Sequence, residues 1–102
     1  MKIYSIRDTK AEIYHQPFFA LTNGVAIRMF ADLANDTSTF IGKHPNDYNL
    51  FYLGEFDDHN AQFELCSPVH IGVASEYLQV QPTLLTPENL ESLQSVPKGE
   101  GQ

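Results

Sequence analysis

The sequence predicts an α+β fold, in which a small antiparallel sheet packs against one main helix in the order strand, helix, hairpin. Residues 2–7 and 49–56 have the β-branched and aromatic composition that is typical of strands. Between them, residues 24–35 carry apolar side chains at helical spacing. A polar, turn-forming segment at 57–60 then separates two strand-like runs, as in a hairpin. We therefore expect a single domain over residues 1–80.

Residues 2–7 (Lys-Ile-Tyr-Ser-Ile-Arg) are the first predicted strand, because β-branched and aromatic side chains alternate roughly with polar ones. The next apolar run, residues 12–21, is interrupted by Pro17. A proline cannot donate a hydrogen bond to a neighbouring strand, so such a run is confined to a sheet edge. We expect residues 12–21 to form either an edge strand or an extended loop.

The main helix is predicted over residues 24–35, with Thr22 or Asn23 as its N-cap. At 100° per residue its polar side chains fall in one narrow arc, which leaves about two-thirds of the circumference apolar. One small sheet is unlikely to cover so wide an arc. The helix therefore needs a second buried contact, from a partner, from a second copy, or from residues 12–21 of the same chain.

The apolar residues of this helix divide into two stripes. The stripe assigned to the core consists of Ala26, Met29, Phe30 and Leu33. The stripe assigned to the second contact, and hence to a candidate partner interface, consists of Ile27, Ala31 and Ala34. Substituting Ile27 with Asp distinguishes the two cases, because an internal carboxylate destabilises the monomer whereas an interfacial one removes the partner.

The second half of the domain is predicted as a hairpin. Residues 36–47 form a polar connection anchored by Phe40 and Ile41. The strand over residues 49–56 has apolar groups on both faces, which indicates a central strand with material on each side. After the loop, residues 61–65 alternate like a half-buried partner strand, and Pro68 breaks this pattern.

Two further segments are less regular. Residues 69–78 have a pattern that fits either a short helix or another strand. Beyond Leu85 apolar residues become sparse, so we expect residues 81–102 to form a peripheral, mobile tail. No stretch reaches the ~18 uninterrupted apolar residues of a membrane span, and the first residues lack the apolar run of a signal peptide.

The sequence shows no motif for catalysis, for a metal or for another cofactor. The glycines are scattered rather than arranged in a phosphate-binding loop, and no paired-cysteine or histidine metal motif occurs. The single cysteine, Cys66, cannot form an internal disulfide, and its strand-like surroundings favour a structural thiol. We expect a protein that is not an enzyme, has no cofactor, and works by binding in the cytoplasm.

The net charge of −7 opposes general binding to nucleic acid but leaves room for a local basic face. Residues 1–51 hold five basic and five acidic groups, whereas residues 52–102 hold one basic and eight acidic groups. Cations interleaved with aromatic side chains in the first half suggest single-strand binding. The candidate nucleic-acid-binding residues are Lys2, Arg7, Lys10, Tyr14, Arg28 and Lys43.

Three stretches carry a resemblance to a known family: residues 1–12, residues 16–19 (Gln-Pro-Phe-Phe) and residues 44–58. The last contains the pairs His-Pro and Leu-Phe, followed by Gly-Glu-Phe-Asp-Asp. In order and spacing, residues 1–78 resemble the small nonstructural protein of gokushoviruses, which are single-stranded-DNA phages of the Microviridae. The resemblance implies a non-virion protein that acts in the bacterial cytoplasm, in genome replication or in the change from duplex synthesis to single-strand packaging.

The resemblance supplies no catalytic or binding residues, so the partner stays open. The first hypothesis is an accessory factor that binds a phage replication or procapsid protein, or a second copy of itself. The second is a single-stranded-DNA-binding protein that uses the basic, aromatic first half of the chain. A third, an enzyme or an inhibitor of a host protein, has only Cys66 and scattered histidines to support it.

Overall fold

The computed structural model describes residues 1–79, and within them the chain forms one antiparallel sheet and two α-helices. The predicted tail, residues 81–102, lies outside the described residues. The elements in chain order are β1 (Lys2–Asp8), β2 (Ile13–Tyr14), β3 (Phe18–Ala20), α1 (Asn23–Ala34), α2 (Phe40–Lys43), a 3-10 helix (Pro45–Asp47), β4 (Tyr48–Asp57), β5 (Gln62–Val73) and a second 3-10 helix (Ala74–Tyr77). The predicted α+β fold is confirmed.

The strand order across the sheet is β2, β1, β4, β5, and β3 pairs with β1 on the same edge as β2. Every pairing is antiparallel. β4 lies between β1 and β5, with Ile6 opposite Leu50 on one side and Phe63 opposite Phe56 on the other. The prediction of a central strand at Leu50 to Phe56 is therefore confirmed.

The segment over residues 12–21 forms the edge that its proline predicts. β2 and β3 run along β1 as one antiparallel strand interrupted around Pro17. His15 holds the interruption in place, because its backbone N–H donates to the Ile6 carbonyl at 2.7 Å. In return, the Ser5 hydroxyl donates to the His15 carbonyl at 2.6 Å. The buried Ser5 side chain is thus satisfied within the sheet.

Helix α1 begins one residue earlier than predicted, at Asn23, and Thr22 is its N-cap. The Thr22 hydroxyl accepts a hydrogen bond from the Val25 backbone N–H at 3.2 Å, which satisfies one of the unpaired donors of the first turn. At the other end, the Asn35 side chain donates to the Tyr77 carbonyl at 3.0 Å and accepts from the Gln79 N–H at 2.8 Å. These bonds fasten the end of the helix to the chain beyond β5.

The core lies between α1 and one face of the sheet. Tyr4, Phe30 and Leu50 are fully buried there. The Phe18 ring stacks on Tyr4 at 5.8 Å between centroids, and Tyr77 meets Phe30 edge-on at 5.9 Å. Residues from both ends of the described chain therefore close the core around the helix.

The division of α1 into two stripes is wrong in its details. Met29 and Leu33, which were assigned to the core, are 42% and 37% exposed, whereas Ala34 is only 1% exposed. Ala34 therefore cannot serve as a surface contact for a partner. Ile27 is half-buried against the core, and Ala31 is half-buried as well. The second 3-10 helix packs beside α1, so part of the wide apolar arc is covered from within the chain. Met29 and Leu33 stay exposed.

The segments around the hairpin also differ from expectation. Only Ile41 of the predicted anchor pair is buried, because Phe40 projects into solvent. β5 continues through Pro68 to Val73, with a register shift that places three residues opposite Leu53. Proline is tolerated at such a bulge on an edge strand. Residues 62–70 are all exposed, so β5 is not the half-buried partner strand that its alternation predicts.

Candidate functional site

The candidate site is the face of the sheet opposite α1, which we term the open face. Directly paired residues of an antiparallel sheet project from the same side. Tyr4, Ile6 and Leu50 project toward α1, so their neighbours along the strands project away from it. Two sets of aromatic side chains occupy this open face, one at each end of the sheet.

At the hairpin end, three phenylalanines from three strands form a contiguous cluster. The Phe19 and Phe56 rings are 5.7 Å apart between centroids, and Phe56 and Phe63 are 4.9 Å apart. These separations are in the range of favourable aromatic contacts. Phe19 and Phe63 nevertheless keep about half of their surface exposed.

Beside this cluster lies an apolar groove of about 480 Å³. Its walls are formed by Ile3, Pro17, Phe19, Leu53, Phe63 and Leu65. Leu65 is 69% exposed, which is unusual for a large apolar side chain in a position adjoining other apolar groups.

Cys66 also lines this groove and is exposed. Its strand-like neighbours belong to the exposed half of β5. Within residues 1–79, no three histidine, cysteine or acidic side chains lie close enough together to hold a metal ion.

An acidic hollow of about 390 Å³ adjoins the groove and shares Phe63 with it. Its lining includes four carboxylates: Glu55, Asp57, Asp58 and Glu64. The polar loop between β4 and β5 is a turn, as predicted, and its side chains bond to its own backbone. Asp57 accepts from the His59 N–H at 2.9 Å, and Asn60 accepts from the Gln62 N–H at 3.2 Å.

At the other end of the open face lies a second set, which we term the Tyr14 row: Arg7, Tyr14, Asn49, Phe51 and His70. The Arg7 guanidinium lies 5.6 Å from the centroid of the Tyr14 ring. The Phe51 ring meets Tyr14 at 5.4 Å and His70 at 5.3 Å, each at an interplanar angle of 69°. His70 Nε2 is 2.8 Å from Asn49 Oδ1, which fixes the orientation of both side chains.

The predicted nucleic-acid-binding residues do not form one surface. Arg7 and Tyr14 are in contact, and Lys10 is in the turn that joins their strands. The other three are dispersed. Arg28 is exposed on α1, and the Lys43 ammonium sits 5.7 Å from the ring of Phe40 on α2.

Lys2, the remaining candidate, is engaged in an ion pair with Glu55 at 2.8 Å. Hydrogen bonding to Glu55 is the main reason that the pKa of Lys2 is raised above its usual value. The Glu55 carboxylate also accepts from the Tyr52 hydroxyl at 2.8 Å. The bonds from Lys2 and Tyr52 lower the pKa of Glu55, and the bond to Glu55 raises the pKa of Tyr52. The positive charge of Lys2 is therefore already neutralised by the Glu55 carboxylate.

Sequence reasoning missed Asn49, Phe51 and His70 as members of a site. A signal was present, because the alternation along the central strand already places Phe51 on the face opposite Leu50. Tyr14, Phe51 and His70, however, are far apart in the chain, and they are brought into one row only by the pairing of β2, β1, β4 and β5.

A family model described as "Phage ORF5 protein" matches residues 1–77. Neither the curated proteins nor the solved structures contain a match to this chain. Among residues 1–79, no helix is long and apolar enough to cross a membrane.

Proposed function

The chain belongs to the phage ORF5 protein family, and on that premise we propose that it is a non-enzymatic accessory protein of phage genome replication or packaging. The phage is taken to be a single-stranded-DNA phage of the gokushovirus type, as the resemblance over residues 1–78 implies. The site of action is the cytoplasm of the bacterial host. The protein works by binding a protein of the phage replication or procapsid machinery.

The observation that carries this proposal is the apolar groove on the open face. Large apolar side chains are seldom left exposed side by side in a soluble domain, unless they meet a partner. Here Phe19, Phe63 and Leu65 are exposed together around one concavity. Aromatic and aliphatic side chains that fill such concavities supply much of the binding energy in protein interfaces.

The acidic hollow beside the groove indicates the character of the partner. Carboxylates at the edge of an apolar contact favour a partner with complementary positive charge at the same place. Asp57, Asp58 and Glu64 provide that edge, whereas the charge of Glu55 is already paired with Lys2. The partner surface is therefore expected to present an apolar projection with basic residues next to it.

An affinity pull-down from infected cells tests this function, performed with and without nuclease. The tagged wild-type protein should capture an identifiable phage replication or procapsid protein in both conditions. The Leu65→Asn variant should lose that protein, because it places an amide in the groove. The matched control is Leu21→Asn, since Leu21 is 70% exposed and does not line the groove.

Two outcomes would contradict the proposal. In the first, Leu65→Asn and Leu21→Asn retain the phage protein equally, which removes the groove from the interaction. In the second, the phage protein is captured only when nucleic acid is intact, which shows that the two proteins are joined through a nucleic acid.

A further inference from the structure

The Tyr14 row has the composition of a stacking platform rather than of an apolar contact. It combines three rings, one guanidinium and one amide, and none of its members is acidic. In a chain whose net charge is −7, five neighbouring side chains without a carboxylate form a distinct surface. The acidic hollow is at the other end of the sheet. Phe51 and Asp57 are six residues apart along β4, roughly 20 Å at the rise of a strand.

The row is also accessible. Tyr14 is 45% exposed, His70 is exposed, and Phe51 is half-buried between them. The side chains come from four neighbouring strands, with Tyr14 on β2, Arg7 on β1, Asn49 and Phe51 on β4, and His70 on β5. Sheet faces that present aromatic side chains on adjacent strands can stack two or three unpaired bases, and cations beside them neutralise phosphates.

We propose that the Tyr14 row binds a short stretch of single-stranded DNA. Bases stack on Tyr14 and His70, and the Arg7 guanidinium contacts a backbone phosphate. Base stacking requires unpaired bases, which excludes duplex DNA as the preferred ligand. The choice of DNA over RNA rests on the proposed role in genome replication or packaging. The site differs from the set predicted from sequence. It excludes Lys2, Lys10, Arg28 and Lys43, and it adds Asn49, Phe51 and His70.

Fluorescence anisotropy with the full-length protein and a labelled oligothymidine of about 12 nucleotides tests the proposal. The wild-type protein should bind at low salt. Tyr14→Ala should weaken binding about 5-fold to 100-fold, which is the range for losing one stacked base. His70→Ala is a second variant at an exposed position and should also weaken binding. The matched aromatic control is Phe40→Ala, because Phe40 is exposed on α2 and should leave the affinity unchanged.

The salt dependence separates a phosphate contact from a general charge effect. Removing one phosphate contact should reduce the slope of log K against log salt by about 0.7 for a single strand. Arg7→Gln should show this reduction. Arg28→Gln makes the same change in net charge on an exposed part of α1 and should keep the wild-type slope. Thermal unfolding of each variant verifies that the domain stays folded.

Four results would overturn the proposal. Three concern the single strand: no binding at low salt, equal losses of affinity in Tyr14→Ala and Phe40→Ala, or equal changes of the salt slope in Arg7→Gln and Arg28→Gln. The fourth is binding to duplex DNA, or to RNA of the same sequence, that is as tight as binding to the single strand or tighter. The outcome is independent of the groove. Loss of the phage protein in Leu65→Asn with no oligonucleotide binding by the wild type would leave the proposed function standing and remove this site.

Discussion

The Lys2 ammonium lies 2.8 Å from a carboxylate oxygen of Glu55 and thereby joins the first residue of β1 to the central strand β4. The two residues are also direct partners in the strand register. Lys2 reaches the Tyr52 ring as well, at 5.5 Å from its centroid. A cation, a carboxylate and a phenol thus form one small network at the hairpin end of the sheet.

We expect this network to make stability depend on pH at both extremes. The pKa of Glu55 is lowered from its ordinary 4.5, so its contribution is present above that pH and is lost as the pH falls through the folded pKa. The pKa of Lys2 is raised from 10.5, so its contribution is present below that pH and is lost as the pH rises through the folded pKa.

The measurement is chemical unfolding of wild type and Glu55→Gln across this pH range. The variant should be less stable near neutral pH, and the difference should vanish in acid. Asp58→Asn serves as the control, because Asp58 is an exposed carboxyl in the hairpin loop. A constant difference between wild type and Glu55→Gln down to strongly acidic pH would show that the network contributes nothing through its charges.

Phe30→Ala should destabilise the domain far more than Met29→Ala, although the two residues are adjacent on α1. Phe30 is fully buried, and truncating such a ring costs about 3–5 kcal/mol. Met29 is largely outside the core, so its truncation should cost less than about 1 kcal/mol. Urea unfolding of both variants checks the burial of the helix. Similar losses would mean that the helix is rotated about its axis relative to the structure.

Gly54→Ala should also be strongly destabilising. Gly54 has a φ of +142°, and an added Cβ would lie 2.3 Å from the backbone carbonyl oxygen of Glu64. Alanine fits neither this backbone angle nor the available space. The free energy of unfolding, measured with urea, should therefore fall by about 1–3 kcal/mol.

Gly24→Ala provides the comparison for Gly54→Ala. Gly24 lies in the first turn of α1, and its added Cβ would meet only the Thr22 hydroxyl at 3.7 Å. The free energy of unfolding of this variant should rise by about 0.4–1 kcal/mol, because alanine reduces the conformational entropy of the unfolded chain. A neutral Gly54→Ala would contradict the tight pairing of β4 with β5 at the bulge.

Thr22→Ala should lower the free energy of unfolding by about 0.5–2 kcal/mol, because it removes the hydroxyl that caps α1. Thr22→Ser retains the hydroxyl and should keep most of the stability. Thermal unfolding, with helix content followed by circular dichroism, measures both. If Ser and Ala variants lose stability equally, the methyl group of Thr22 rather than its cap bond is responsible.

The positions of the elements were largely predictable because they follow from local patterns. The strand alternation of residues 2–7 and 49–56, the proline at position 17 and the polar loop before β5 each predict their own structure. The helix was placed within one residue, since a threonine cap and a continuous 3.6-residue period are both contained in its own sequence.

The sequence by itself therefore determined the order of the main elements, the start of the helix to within one residue and the central position of β4. Only the tertiary structure decided which apolar side chains are buried, as Ala34 and Met29 show. It also decided that β5 is an exposed edge and that Tyr14, Phe51 and His70 share one row. The physical reason is that the sequence pattern reports local interactions, whereas burial and register depend on long-range ones. Periodicity shows which residues of one element share a face, whereas burial depends on which other elements pack against that face, and strand register on pairings between distant parts of the chain.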